Sequence, residues 1–503
     1  MLQITKDEYE KIKTKYETLI SEYETLKIEY EALKKEYNNL KMEYETLKLD
    51  NEVIKGLVIA LTNEISELKA KMNKNSKNSS NPPSSDGPKK GTVKNSRTPS
   101  DKKTGGQPGH EGKTKTLSSS PETVLELKPK TECDCGGQII ISRDNYTVRQ
   151  VSDIILPKTI TVEYRAQEGQ CEECGKVHKA SFPEGVEGVV SYGDNLQAIV
   201  TYLSTYQLLP LKRTTELVND LFGINISQGT IVSSGKEAYE RLAGPEDRIK
   251  REVIKNDVAG FDESGIRVAG KNHWLHSAST KDCTVYSVHP KRGAEAMDEM
   301  GILPLFRGTA IHDHWKSYYQ YNLCAHGECN QHHLRHLKYL YEDLRCSWAS
   351  DMICLLMRIK KHVDLANLFK ADNLEVNSLE QEDIKIYAGM YCKILEEAQT
   401  NIKDAPLDSK RMINRLIKYE QETLLFMYDF AVPFTNNLSE RDLRMPKAKQ
   451  KISGGFRTKE GADAFARVRG FISTVKKRGK NVMDGMVAVF KGEAQKFLFP
   501  TPL

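Results

Sequence analysis

A strict seven-residue apolar repeat fixes the shape of the N-terminal segment. Tyr9, Tyr16, Tyr23, Tyr30, Tyr37 and Tyr44 recur at one heptad position, and Ile12, Leu19, Leu26, Leu33, Leu40 and Leu47 recur three places later. The register continues through Asn51/Ile54, Val58/Leu61 and Ile65/Leu68, nine heptads in all. A straight α-helix drifts against a strict heptad, so holding the repeat over this length implies a left-handed coiled coil. With the tyrosine row as a and the leucine row as d, positions g hold Glu22, Glu29, Glu36, Glu43 and Asp50. The e positions that follow hold Lys27, Lys34, Lys41, Lys48 and Lys55. That five-residue offset sets acid against lysine across a parallel, in-register seam, whereas an antiparallel pair would set acid against acid. Asn51 at an a position specifies register and two-strandedness. Residues 1–72 are expected to dimerise, or to assemble further, through this coil.

The remainder of a 503-residue chain needs several cores. The net charge of +5 decides little, but its distribution is informative. Residues 441–480 carry thirteen Lys/Arg against three Asp/Glu, and residues 71–130 carry thirteen against five. Such blocks suit phosphate backbones. Residues 73–122 are dominated by Ser, Lys, Gly and Pro, which cannot bury a core, and read as a flexible basic linker. The chain opens on polar and charged residues, and no apolar run reaches the roughly 20 residues of a membrane span. Without a secretory context the ten cysteines point to metal rather than disulfides. The expected location is cytoplasmic and nucleoid-associated, with no membrane partner.

Two short cysteine pairs, Cys133-Asp-Cys135-Gly136 and Cys171-Glu-Glu-Cys174-Gly175, bracket a strand-like segment. Four thiolates close a tetrahedral Zn²⁺ site, and a glycine after each pair eases the turn. Residues 123–185 are therefore expected to form a small module around one structural zinc ion. Residues 190–245 read as helices over 195–206, 213–222 and 227–242, with Ser227 as an N-cap, a pattern compatible with a helix-turn-helix.

Three distant stretches each set one acid in a distinctive context: Phe261-Asp262-Glu263-Ser264-Gly265, Ile311-His312-Asp313-His314-Trp315 and Asn436-Asn437-Leu438-Ser439-Glu440-Arg441. Strands are expected over 258–262, 266–268, 273–277, 284–288 and 309–312, with a helix over 293–300. This order matches a ribonuclease H-like fold and puts Asp262 and Asp313 on neighbouring strands, with Glu440 on a later helix. Each acid has a plainer reading: a turn for Asp262, a helix cap for Asp313, a capping box with Asn437 for Glu440. Glu263 follows Asp262 directly, so it faces the opposite side of its strand and is set apart from the triad. The core is expected over 250–325 and 433–503, split by a helical insertion over 326–432. Cys329 and His332 open that insertion at a spacing that shares a helix face.

The motifs together resemble the insertion sequence 66 family of bacterial DDE transposases: Asp262-Glu-Ser-Gly, Lys271-Asn-His-Trp-Leu-His276, His289-Pro-Lys-Arg-Gly293, His312-Asp-His-Trp315, Asn436-Asn-Leu-Ser-Glu-Arg441 and Lys449-Gln-Lys-Ile-Ser-Gly454. The Asn78-Ser-Ser-Asn-Pro-Pro-Ser-Ser85 linker extends the resemblance over nearly the whole chain. The resemblance implies a multidomain α/β protein whose catalytic triad is Asp262, Asp313 and Glu440, holding two Mg²⁺ (or Mn²⁺) ions about 3.5–4 Å apart. It implies cutting at the ends of an insertion sequence and joining the 3′-OH to target DNA. His312, His314, Cys329, His332, Arg441 and Arg444 become candidates for supporting the carboxylates or touching DNA. Elements of the family commonly encode two further small proteins, so accessory partners are implied as well. Two rivals stand beside this reading. A recombinase with a nucleophilic Ser or Tyr would form a covalent adduct with DNA. A catalytically silent DNA-binding regulator or coiled-coil scaffold would carry a broken triad, and this triad is intact.

Overall fold

The computed structural model describes residues 6–73, 117–127, 132, 134–138, 147–152, 159–183, 186, 188–369, 376–400, 402–403 and 405–500. Most of the basic linker, residues 74–116, and Cys133 lie outside the described residues. The chain divides into two compact units. One comprises residues 1–85, 332–362 and 380–420; the other comprises 86–331, 363–379 and 421–503.

The first unit opens with α1 (Lys6–Asn73), a single unbroken helix. Its heptad residues stay open to solvent: Leu40 is 69% exposed, and Tyr9 through Ile65 behave alike. The unit also holds most of α7 (Asn330–Glu342), α8 (Ser347–Phe369) and α9 (Gln381–Thr400), together with α10 (Leu407–Lys418). Leu340, Met352, Leu356, Tyr391, Met412 and Leu416 are buried among these helices. Trp348 Nε1 donates to Ser409 Oγ at 3.1 Å, and the Tyr391 hydroxyl donates to Leu416 O at 2.8 Å.

Among the described residues, the first strands of the second unit are β1 (Glu168–Gln170) and β2 (Val177–Lys179), paired as a hairpin. Four helices follow: α2 (Asp194–Thr201, continued by a π-turn over Tyr202–Tyr206), α3 (Leu211–Phe222), α4 (Gln228–Arg241) and α5 (Ala243–Ile254). Val200, Val218 and Ile231 join α2, α3 and α4 in a small core. Gly223, at φ 67°, ends α3 in the left-handed region, and Ser227 caps α4 by accepting from Thr230 N at 3.0 Å.

A five-stranded sheet follows: β3 (Val258–Val268), β4 (Lys271–Ser279), β5 (Thr284–His289), β6 (Thr309–His312) and β7 (Ala325–Glu328), in the spatial order β5-β4-β3-β6-β7. The β3/β4 and β4/β5 pairs are antiparallel; the β3/β6 and β6/β7 pairs are parallel. The crossover from β5 to β6 carries α6 (Ala294–Met300). The sequence reads as a break after Asp262, but β3 runs straight through. Every residue from Gly260 to Val268 has a partner on β4, so cross-strand pairing holds the polar Asp-Glu-Ser-Gly stretch extended. Ala269 and Gly270, both at positive φ, make the tight turn into β4.

The C-terminal part contributes α11 (Glu420–Tyr428), the short α12 (Asn437–Asp442), α13 (Arg444–Ser453), α14 (Lys459–Lys477), α15 (Val482–Phe490) and α16 (Ala494–Leu498). Phe261, Val285, Phe306, Phe471, Val475, Met486 and Phe490 form the main core between sheet and helices. Arg467 on α14 bonds Glu246 at 2.9 Å and Tyr239 O at 2.8 Å and lies over the Tyr239 ring, which fastens α4 and α5 to α14. Among the described residues no helix is long and apolar enough to cross a membrane.

Candidate active site

The strand register brings two of the three acids together. Gly260 pairs with Ile311 across the parallel β3/β6 ladder. Asp262 and Asp313 each stand two residues further on, so equal offsets leave them side by side, Asp262 within β3 and Asp313 just past the end of β6. The turn reading of Asp262 therefore does not hold.

The third acid arrives on α12. Side chains alternate along a strand, so Gly260 and Asp262 share a face of β3. A Cβ at Gly260 would fall 2.5 Å from Ser439 Oγ and against the Asn436 side chain, so α12 lies on that face. Glycine is needed here for this close approach. Asn436 Nδ2 donates to Phe261 O at 2.7 Å, and Asn436 N donates to Cys329 Sγ at 3.1 Å. The N-cap is Asn436 rather than Asn437, and its side chain fastens α12 to β3 instead of capping the helix. The motif around Glu440 thus reads as a seat for α12.

Electrostatics mark the place. Burial, followed by the charges of Glu263, Asp313 and Glu440, holds the Asp262 carboxyl well above the usual carboxylate range. Asp262 Oδ1 accepts from Glu263 N at 2.9 Å, and Asp313 Oδ1 accepts from Trp315 N at 3.0 Å. Burial lowers the Lys447 pKa, opposed by the nearby charges of Asp262 and Glu440. This concentration of carboxylates is the condition a bound cation relieves, and an oxygen-only ligand set suits a hard divalent ion.

The opposite face of β3 holds what the sequence did not disclose. Glu263 does point away from Asp262, as the strand period requires, but its side chain is only 1% exposed. It accepts from Arg292 Nε at 2.6 Å and from the Tyr318 hydroxyl at 2.5 Å. Burial and the charge of Asp313 raise its pKa to about 7, against the pull of Arg292 and Tyr318. Arg292 also reaches Asp313 Oδ2 at 3.6 Å and lies over the rings of Trp274 and Trp315. Arg292 belongs to the His289–Gly293 motif, whose sequence gave it no role.

The other candidates fall as follows. His312 is fully buried, stacked on Tyr318 at 4.5 Å and joined to His326 Nδ1 at 3.0 Å; burial lowers its pKa to about 4. It supports the loop of Asp313 from inside and is closed to DNA. His314 is half-buried, while Arg441 and Arg444 are exposed. Cys329 is buried, with its sulfur within 4.8 Å of a Glu440 carboxylate oxygen. His332 belongs to the other unit, at the start of its share of α7.

In the small module, Cys171 and Cys174 sit in the β1/β2 turn. Cys171 N donates to Lys176 O and Gly175 N to Cys171 O, each at 2.9 Å, with Gly175 at φ 67°. Backbone hydrogen bonds from Cys174 and Glu173 lower the Cys171 pKa, which favours its thiolate form. Cys135 is exposed and followed by Gly136 at φ 85°, with Glu132 and Gln138 paired across that turn. Cys133 lies outside the described residues.

Comparison with known protein families gives two matches. Residues 27–116 match a family of unknown function, DUF6444. Residues 190–464 match the Transposase IS66 family, a span that includes the sheet, Asp262, Asp313 and Glu440. No curated protein matches the chain. The second match covers more than half of the chain and carries with it transposase activity, recombination of DNA, and the family's general use of divalent metal ions. By its sheet, its clustered acids and this match, the chain belongs to the IS66 family of transposases.

Proposed function

We propose that this protein binds the ends of an insertion sequence, cuts DNA at a site holding two divalent ions, and joins the freed 3′-OH to target DNA. The observation that carries the reading is the equal offset of Asp262 and Asp313 past a paired Gly260 and Ile311, with Glu440 brought over the same face on α12. The strand order and directions fit a ribonuclease H-like core. Asp262, Asp313 and Glu440 would hold Mg²⁺ or Mn²⁺. When bound, such a pair of ions activates the attacking oxygen and stabilises the leaving one. The chain's own residues orient the site. Glu263 N and Trp315 N fix the first two carboxylates, while Arg292 and Lys447 bring positive charge to the place where a scissile phosphate gathers negative charge.

End binding is assigned to the α3-turn-α4 segment, a helix-turn-helix whose second helix exposes Gln228, Ser233 and Lys236. Cys133, Cys135, Cys171 and Cys174 are assigned to one structural zinc ion. The coil pairs two chains in parallel, which allows one assembly to hold two ends. The test is a duplex carrying an element end. Cleavage should require Mg²⁺ or Mn²⁺, and Asp313→Ala should bind the duplex without cutting it. Full cleavage by that variant overturns the assignment. Protein joined covalently to DNA on a denaturing gel would place the chemistry with the serine or tyrosine recombinases.

A further inference from the structure

A six-residue helix has little rigidity of its own, so what holds α12 also holds Glu440. Its front is seated by Asn436 over Gly260. Its back ends in Asp442, where a second set of contacts converges. Asp442 Oδ2 accepts from Lys477 Nζ at 2.7 Å, from Ser279 Oγ at 2.7 Å and from Thr284 Oγ1 at 3.0 Å. The Tyr286 hydroxyl donates to Asp442 O at 2.8 Å. Lys477 Nζ also donates to Thr280 O at 2.9 Å and Cys283 O at 3.1 Å. The paired side chains are 12% and 11% exposed. Their partners come from β4, β5, the turn between them and α14.

An ion pair is a costly fastening. Taking each charge out of water is costly, and an apolar contact of similar shape would hold the helix as firmly. What the charged arrangement adds is direction. Three donors meet one carboxylate oxygen, which fixes how far α12 is turned about its axis. Residues two apart on a helix of 3.6 residues per turn project about 200° apart. A turn of α12 that frees Asp442 from the sheet therefore swings Glu440 as well.

We propose that the buried Asp442–Lys477 pair is a positioning clamp for Glu440, fixing the rotation of α12 and thereby the third carboxylate of the metal site. The proposal rests on the reading of Asp262, Asp313 and Glu440 as metal ligands. The full-length protein tests it with Tb³⁺ as a luminescent probe, excited through Trp315, whose backbone N–H bonds Asp313. The Mg²⁺ concentration giving half-maximal cleavage is measured alongside, with melting and DNA binding as controls. Asp442→Asn and Lys477→Met should bind DNA normally, with Tb³⁺ affinity weakened about tenfold, or 1.4 kcal/mol, and the Mg²⁺ requirement raised in step. Thr284→Val, which removes one hydroxyl and leaves the ion pair, should weaken Tb³⁺ binding roughly two- to threefold. A purely structural pair would lower the melting temperature and leave the Tb³⁺ affinity of the folded protein unchanged, and that result overturns the clamp. Should the two charge variants fail to fold, Thr284→Val decides by the same criterion. Wild-type protein whose Tb³⁺ binding is insensitive to Glu440→Gln would instead refute the triad reading beneath the proposal.

Discussion

Replacing Gly260 with alanine measures how closely α12 must sit on β3. The new Cβ would lie 2.5 Å from Ser439 Oγ and closer still to the Asn436 side chain. Ordinary contact needs about 3.5–4 Å, so the helix must withdraw by about 1 Å. Ser439 is fully buried and Asn436 nearly so, which leaves no free space for a cheaper adjustment. Withdrawal breaks the Asn436 Nδ2 bond to Phe261 O, at about 0.5–1.5 kcal/mol. Overpacking adds about 1–3 kcal/mol. The sum, about 1.5–4.5 kcal/mol, corresponds to a fall of roughly 3–18 °C in melting temperature. Glu440 lies one helical turn beyond Asn436 and moves with the helix, and a 1 Å misplacement of a reacting group costs about 10²-fold in rate. Melting is followed by circular dichroism, and cleavage of an end-containing duplex is measured well below both transitions. The expected outcome is a lower melting temperature, intact DNA binding and cleavage slowed about 100-fold. A normal melt would refute the close approach. A lowered melt with unchanged cleavage would refute the link between the seat of α12 and Glu440.

Three further outcomes follow from other parts of the chain. Freshly purified protein should carry one zinc ion per chain, and Cys171→Ser should release it and unfold the small module; a zinc content unaffected by the substitution contradicts the site. Residues 1–72 alone should crosslink in parallel through a cysteine added at one end, since the g–e pairs, worth only about 0.2–1 kcal/mol each, select orientation while the a/d seam drives association. Replacing Leu26, Leu33 and Leu40 with Lys should leave monomers; preferential antiparallel crosslinks in the parent segment would contradict the register. Glu263 has a folded pKa of about 7 against 4.5 unfolded, so the native state binds more protons in that window and stability falls as pH rises through it. Buried His276 and His312, both lowered to about 4, act in the opposite sense, so the difference between wild type and Glu263→Gln isolates the carboxylate. That difference should change between pH 4.5 and 7 in metal-free protein and be flat above; a pH-independent difference contradicts the assignment.

Sequence disclosed what is periodic or local. The heptads of α1 carry their own phase over many repeats. The neighbourhood of Asp262 and Asp313 was legible because short apolar strands lead into each acid, and Ser227 because an N-cap is a local device. The period of a strand also said correctly that Glu263 faces away from Asp262. It could not say what waits on that side, because Arg292 and Tyr318 arrive 29 and 55 residues later in the chain. The same holds for Asp442 and Lys477, 35 residues apart and each unremarkable among neighbouring charges until α14 folds over β5. The continuity of β3 was hidden because Asp-Glu-Ser-Gly has weak strand preference, and only pairing with β4 overrides it. β7 lacks an apolar alternation altogether and is held in place by its ladder with β6.

Asp262, Asp313 and Glu440 are proposed to form one metal site. Its most direct test replaces Mg²⁺ with Fe²⁺ and adds ascorbate and peroxide, so that radicals produced at the bound ion cut the nearby backbone. Three cut regions are expected, around residues 262, 313 and 440, all suppressed by excess Mg²⁺ and all lost together in Asp313→Ala. Cuts confined to one of the three regions, or a pattern that persists in Asp313→Ala, would contradict it.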